Sequence, residues 1–145
     1  MGQTGQALTR VVLDTNVVVS ALVFEGPSNR LVAAWQQRRF RLLVSQQLLT
    51  EYLRVLHYPK FHLTQDDIRS LVEEELLPFI TPVTVSRVPR VVLADPSDDQ
   101  VLGCAAAGKA DVVVTGDRHL LALARYKWVR IVTLADFLRQ LGFST

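Results

Sequence analysis

The sequence predicts an α/β fold: a parallel sheet covered by helices on both faces. Three observations predict it. Short apolar runs alternate with longer stretches of helical period. The strongest runs, "RVVLD" (10–14), "FRLLV" (40–44) and "DVVVTGD" (111–117), are apolar almost throughout, as strands buried on both faces are. Two of them run into an aspartate at or just past the carboxyl end, where open parallel sheets gather their ligands.

Taken in order, "RVVLD" is the first strand, and the apolar stretch Val17 to Phe24 turns helical until Gly26-Pro27 breaks it. Ser28 then reads as the N-cap of "NRLVAAWQQRR" (29–39), with Leu31, Ala34 and Trp35 on one side. After "FRLLV", Ser45 caps "QQLLTEYLRVLH" (46–57), whose residues 48, 49, 52, 53, 55 and 56 form one apolar stripe, and Pro59 ends it. Thr64 caps a helix over residues 63–80, and "PVTV" (82–85) is a short extended piece. "ADPSDDQVLGCAAAGKA" (94–110) is a helix with Asp95 as N-cap and Pro96 in the favoured first position. Its "GCAAAG" run has side chains small enough to let the helix lie close to the sheet. "DVVVTGD", a helix "HLLALARY" (119–126), a strand "VRIVTL" (129–134) and a closing helix "ADFLRQL" (135–141) complete the chain.

The composition fits one domain. The 145 residues are 49% hydrophobic and 21% charged, enough apolar material for a core and too much for disorder. We expect a flexible segment over residues 1–9 and a single domain over 10–145. No apolar run approaches the ~20 residues that span a bilayer, and "MGQTGQALTR" lacks the apolar centre of a signal peptide. Cys104 is the only cysteine, which excludes an internal disulfide and a thiolate metal site and suits a reducing cytoplasm. The net charge of +2 hides a segregation: arginines at 38, 39 and 41, acids at 66–67, 73–75 and 95–99.

The acids carry the chemistry. Asp14 and Asp117 follow two of the strongest strands and can face each other across one crevice, although each alone reads as the cap of the next helix. At ~100° per residue, Glu51 falls beside Val55 at one edge of the buried stripe, in the second turn of a helix that starts at a strand's carboxyl end. Asp98 precedes Val101, Leu102 and Ala105 on the buried face of its helix, whereas Asp99 sits farther round and stands as the alternate. First-turn acids also complement a helix dipole, which accounts for at least two of Asp95, Asp98 and Asp99. Several carboxylates converging without a cation would repel one another and stay partly protonated. Oxygen-only donors suit Mg²⁺ or Mn²⁺, and the histidines at 57, 62 and 119 share no ligand spacing, so none is assigned to a metal. That chemistry is metal-dependent phosphodiester hydrolysis.

These residues resemble a known family. "VVLDTNVVVSAL", Ser45 with Glu51, "DPSDDQVLGCAAAGKADVVVTGDRHLL" and "VTLADFL" are similar, in order from Arg10 to Leu141, to the PIN-domain ribonucleases, and most of all to small prokaryotic single-domain toxins of toxin–antitoxin pairs. The resemblance implies a PIN-like three-layer fold with a central parallel sheet of four or five strands flanked by helices. It implies a site for Mg²⁺ or Mn²⁺ and endonucleolytic cleavage of RNA that leaves a 5′-phosphate and a 3′-hydroxyl. Asp14, Glu51 and Asp117 match the first, second and fourth acids; the third falls on Asp98 or Asp99. Asn16 and Thr115 match the polar residues that hydrogen-bond site carboxylates. The implied partners are RNA, an antitoxin protein and a second copy of the chain as a homodimer.

Other basic and aromatic residues allow a functional and a plainer reading. Arg38, Arg39 and Arg41 can track an RNA backbone beside the acidic crevice, but read better as a solvated helix end. "HYPKFH" (57–62) interleaves aromatics with Lys60, as a base-stacking surface does; the plainer reading packs Tyr58 and Phe61 on the core. Arg118 suits a phosphate contact at the mouth or a pair with Asp98 or Asp99. Two rivals remain to the nuclease. One is a phosphohydrolase with Asp14 as nucleophile, disfavoured because Asn16 stands where a second acid is wanted. The other is a non-catalytic module of the same fold that binds RNA or protein.

Overall fold

The computed structural model describes residues 8–87 and 96–143. The expected cap Asp95, and most of the N-terminal segment expected to be flexible, lie outside them. Among the described residues β1 (Arg10–Leu13), β2 (Arg41–Ser45), β3 (Ile80–Val83), β4 (Val112–Val114), β5 (Arg125–Tyr126) and β6 (Val129–Val132) form one sheet in the order β3-β2-β1-β4-β6-β5. All pairs are parallel except β5 with β6. The parallel body therefore has five strands, at the upper end of the expectation, and the sixth is a two-residue antiparallel edge.

Among the described residues seven α-helices flank the sheet: α1 (Thr15–Val23), α2 (Arg30–Gln36), α3 (Gln46–Leu56), α4 (Gln65–Ser70), α5 (Pro96–Ala107), α6 (Arg118–Leu123) and α7 (Leu134–Gln140). Val11, Val12, Leu13 and Val112 to Val114 are fully buried, which is why these strands read as continuous apolar runs: neither face of the central sheet meets water.

Strand order reverses direction at β1, whose neighbours are β2 on one side and β4 on the other. The crevice beyond the carboxyl ends of β1 and β4 is thus the switch point at which such sheets bind ligands. Helices start there because capping residues stand at the strand ends. Asp14 accepts from Thr15 N, Ser45 Oγ from Leu48 N, Asp117 from His119 N and Leu120 N, and Thr133 from Asp136 N.

Several boundaries depart from expectation for local reasons. Ser28 caps nothing: Pro27–Asn29 forms a 3₁₀ turn leading into α2, and Asn29 Nδ2 instead ties back to Ala21 O at 2.9 Å. The helix expected over 63–80 keeps its Thr64 cap, reciprocated by Asp67, but widens to a π turn at Leu71–Leu76 and tightens to 3₁₀ at Leu77–Phe79, where Pro78 lacks an N–H. The strand that follows is Ile80–Val83, two residues earlier than "PVTV". Helix α6 stops at Leu123 because Ala124 takes φ +58°, and Arg125–Tyr126 turns back through Lys127 (φ +54°) to pair with β6.

Close approach of α5 to the sheet is real. A Cβ on Gly108 would stand 2.8 Å from Val83 Cγ2 and 3.0 Å from Leu43 Cδ1.

Candidate metal centre

The sheet's hydrogen bonding carries past its strands and fixes the first acid. Asp14 N donates to Val114 O at 3.0 Å, so the residue after β1 is still pinned to β4. Its carboxylate accepts from Thr15 N at 2.8 Å and from Thr115 Oγ1 at 2.6 Å. Thr115 is itself buried, its N–H tied to Val132 O, and its hydroxyl oxygen accepts from Asp117 N at 3.0 Å. One hydroxyl thereby sets the spacing between the ends of β1 and β4.

Glu51 is placed from the other side. Its neighbour Tyr52 is fully buried, and the phenol donates to Leu13 O at 2.6 Å, locking α3 to the carboxyl end of β1. Desolvation first, then the proximity of Cys104 and Asp14, pushes that phenol well above 10.0, so it stays a donor. Glu51 itself, 21% exposed, is gripped by Arg54 through Nε at 3.1 Å and Nη2 at 2.8 Å. Those hydrogen bonds and the carboxylate's charge raise the Arg54 pKa. Arg54 Nη1 also donates to Tyr58 Oη at 2.8 Å.

The first turn of α5 supplies Asp98, 2% exposed, and Asp99, 7% exposed. Asp99, which sits farther round the helix, is therefore buried as well. Only Asp98 lines the cleft that Asp14, Glu51 and Asp117 share, a space of about 370 Å³. Larger hollows exist, one of about 480 Å³ beside Asp67, Glu74 and Glu75, but it is lined by Phe79 at the amino end of β3, away from the carboxyl ends of the strands. Chemistry picks the site here, and size does not.

Asp117 serves as helix cap and site acid at once. Desolvation raises its pKa, but the N–H groups of Leu120 and His119, a hydrogen bond with Asp98 and the charge of His119 outweigh that and leave it lowered. Donor atoms of Asp98, Asp117 and His119 lie within 4.8 Å of one another. His119 Nδ1 stands 3.4 Å from Asp117 Oδ1. Two carboxylates and an imidazole at that spacing can hold a divalent cation, and with Asp14 and Glu51 in the same cleft the donors are mostly hard oxygen.

His119 is the residue the sequence reasoning missed. The available signal was local: a helix begun by Asp117 turns the residue two places on back toward its cap. Asn16 is exposed and lines the cleft. The solvated helix end stands for the arginines, which are exposed just past α2, and a place beside the acidic crevice does not. Arg38, Arg39 and Arg41 precede or begin β2, so they stand at the amino end of a parallel sheet, roughly 13–17 Å of strand away from the acids. There Arg38 stacks over Phe79 and Arg39 over Phe143. The basic groups that line the cleft are Arg54 and Lys60. Arg118 is exposed at the start of α6.

Fold and site together define an α/β protein with a metal-competent acidic centre at the switch point of a parallel sheet. The chain belongs to the PIN domain family, whose model matches residues 10–119. Such domains are usually metal-dependent nucleases. No curated protein matches the sequence. Among solved structures it is similar to PAE2754 from Pyrobaculum aerophilum, with a TM-score of 0.59 and 16% identity over 97% of this chain and 94% of that one, a likeness of fold.

Proposed function

We propose that this PIN domain is a metal-dependent endoribonuclease and the toxin of a toxin–antitoxin pair. One observation carries the nuclease reading: four carboxylates from four separate segments, Asp14, Glu51, Asp98 and Asp117, line a single cleft at the sheet's switch point. Asp14, Asp98 and Asp117 would hold Mg²⁺ or Mn²⁺, with His119 beside them. A bound divalent cation supplies Lewis-acid stabilisation of charge on the phosphate and eases deprotonation of water. Glu51, once exchanged from Arg54, orients the attacking water and takes its proton. Water attacks phosphorus in line, the bond to the 3′-oxygen breaks, that oxygen takes up a proton from solvent, and the products carry a 5′-phosphate and a 3′-hydroxyl. The RNA 2′-hydroxyl takes no part, so DNA is a weak substrate.

Cleavage of single-stranded RNA with Mg²⁺ or Mn²⁺, abolished by EDTA, tests this reading. Cleavage that survives exhaustive chelation sinks it. The toxin role rests on resemblance to small single-domain toxins, and a cytoplasmic homodimer goes with it. An antitoxin segment that inserts Arg or Lys among the acids would silence the site; Arg54 on Glu51 is an example of that pairing within the chain. Expression should arrest growth, and Asp14→Asn should relieve the arrest. Harmless expression of an active wild type leaves a nuclease that is no toxin.

A further inference from the structure

The acidic cleft continues into a second hollow of a different chemistry. Asn16 and Lys60 line both, and beyond them the hollow, about 360 Å³, is walled by Phe24, Phe61, Val19 and Ser20. Phe24, the C-cap of α1, is 51% exposed and lies next to the acidic site. Its ring centroid lies 5.8 Å from that of Phe61 at a tilt of 60°. Phe61 rests partly on the core, so it props Phe24 from behind. Lys60 Nζ stands 5.2 Å from the Phe61 ring, at the junction of the two hollows. On its other side the acidic cleft runs on past Glu51, Arg54 and Ser97 to the amides of Gln46, Gln47 and Gln100. The three hollows thus share residues in series, as a trough that passes through the acids and does not end at them.

We propose that the Phe24–Phe61 hollow is a nucleobase subsite, in which a base flanking the scissile phosphate of single-stranded RNA stacks on Phe24 while Lys60 meets the adjoining phosphate. This deepens the nuclease reading and rests on it. The occupant follows from the sequence of chemistries along the trough. A nucleic-acid strand alternates a negative phosphate with a flat apolar base. Next to carboxylates that take a cation and then a phosphate, the trough offers a cation, Lys60, and then an open aromatic face, Phe24. Aromatic faces bind bases of any kind, whereas Lys60 contributes salt-dependent affinity. In a duplex, bases are already stacked on their neighbours, so the subsite selects single strands. The "HYPKFH" segment accordingly has a divided role: Phe61 packs inward, and Lys60 faces the trough.

The test is binding of a fluorescein-labelled single-stranded RNA 12-mer, followed by anisotropy with Mg²⁺ at fixed salt, in the Asp14→Asn background so that substrate stays intact. Phe24→Ala and Phe24→Leu should each weaken binding by about five- to hundredfold, the range expected for loss of one stacked base. Phe24→Trp should restore it, and Lys60→Ala should lower the slope of log affinity against log salt by about one. Circular dichroism and sedimentation on each variant should show the wild-type fold and mass. Unchanged affinity in Phe24→Ala overturns the subsite. So does full retention in Phe24→Leu, which would mean apolar packing without stacking, or a change in mass, which would make Phe24 a contact between copies. A chain that binds RNA with this pattern but cuts none leaves the subsite standing and removes the nuclease. A chain that cuts RNA while Phe24→Ala binds and cuts like its parent removes the subsite alone. No RNA binding at all removes both.

Discussion

At the scale of single residues, the site is built from groups that do two things at once. Asp14 caps α1 and faces the cleft; Asp117 caps α6 and approaches Asp98. Asp14→Asn keeps a capping oxygen, so the chain should stay folded while cleavage falls below detection. Relief of like-charge repulsion should hold or raise the melting temperature in EDTA; an unfolded variant would make Asp14 a structural cap first. The tandem acids part company in the structure, because Asp98 lines the cleft and Asp99 does not. Asp98→Asn should therefore cost far more activity than Asp99→Asn under matched metal, and equal losses would mean that both serve the cation. Away from the cleft's mouth, burial pushes the Cys104 thiol from 9.0 up to about 11 and Tyr52 well above 10.0. Raised pKa values mean stability that is fully present below the unfolded values and is lost as pH climbs through the folded ones. Melting temperature should hold to about pH 9 and then fall toward pH 11, and Cys104→Ala should flatten the first part of that fall. An identical profile in the variant would put the loss elsewhere.

At the scale of elements, close contact between α5 and the sheet decides how deep Asp98 sits. Gly108→Ala sets a methyl 2.8 Å from Val83 Cγ2, so the helix or the strand must give. Overpacking of this kind costs typically 1–3 kcal/mol, and urea unfolding should show a loss in that range; a neutral result would mean that α5 slides freely. Legibility in the sequence follows the same physics. Strands β1 and β4 were plain because both faces are buried and, after Arg10, every position is apolar, and Glu51 could be phased because α3 carries an uninterrupted stripe. Capping residues announced themselves at Ser45 and Thr64. What could not be read was anything that depends on which end of the sheet a residue reaches. Arg41 lies close to Ser45 in the chain, yet a strand's length separates it from the acids. His119 was missed because its approach to Asp98 spans two elements with no periodic relation. The strand β6 was legible, but β5 hid at the end of a run of good helix formers, since only the positive φ of Ala124 and Lys127 reverses the chain there.

At the scale of the whole molecule, the cleft joins segments far apart in sequence, and folding must hold their charges together. Thr115 bonds Asp14 from 101 residues away, and Asp98 meets Asp117 across the end of the sheet. A cation bound among these carboxylates should stabilise the entire domain, as any ligand specific to the native state does. At a hundredfold excess over its dissociation constant the gain is about 2.7 kcal/mol. For a domain of 145 residues, that is several degrees in melting temperature. Adding Mn²⁺ or Mg²⁺ to EDTA-treated protein should thus raise the melting temperature in a saturable way, and Asp98→Asn should abolish the shift. His119→Ala separates the metals: an imidazole near the cluster favours Mn²⁺ over Mg²⁺, so its loss should shrink the Mn²⁺ shift more. Equal shrinkage for both ions would place His119 as a partner of Asp117 alone. A melting temperature indifferent to either ion in the wild type would mean that Asp98 and Asp117 already satisfy each other through their hydrogen bond.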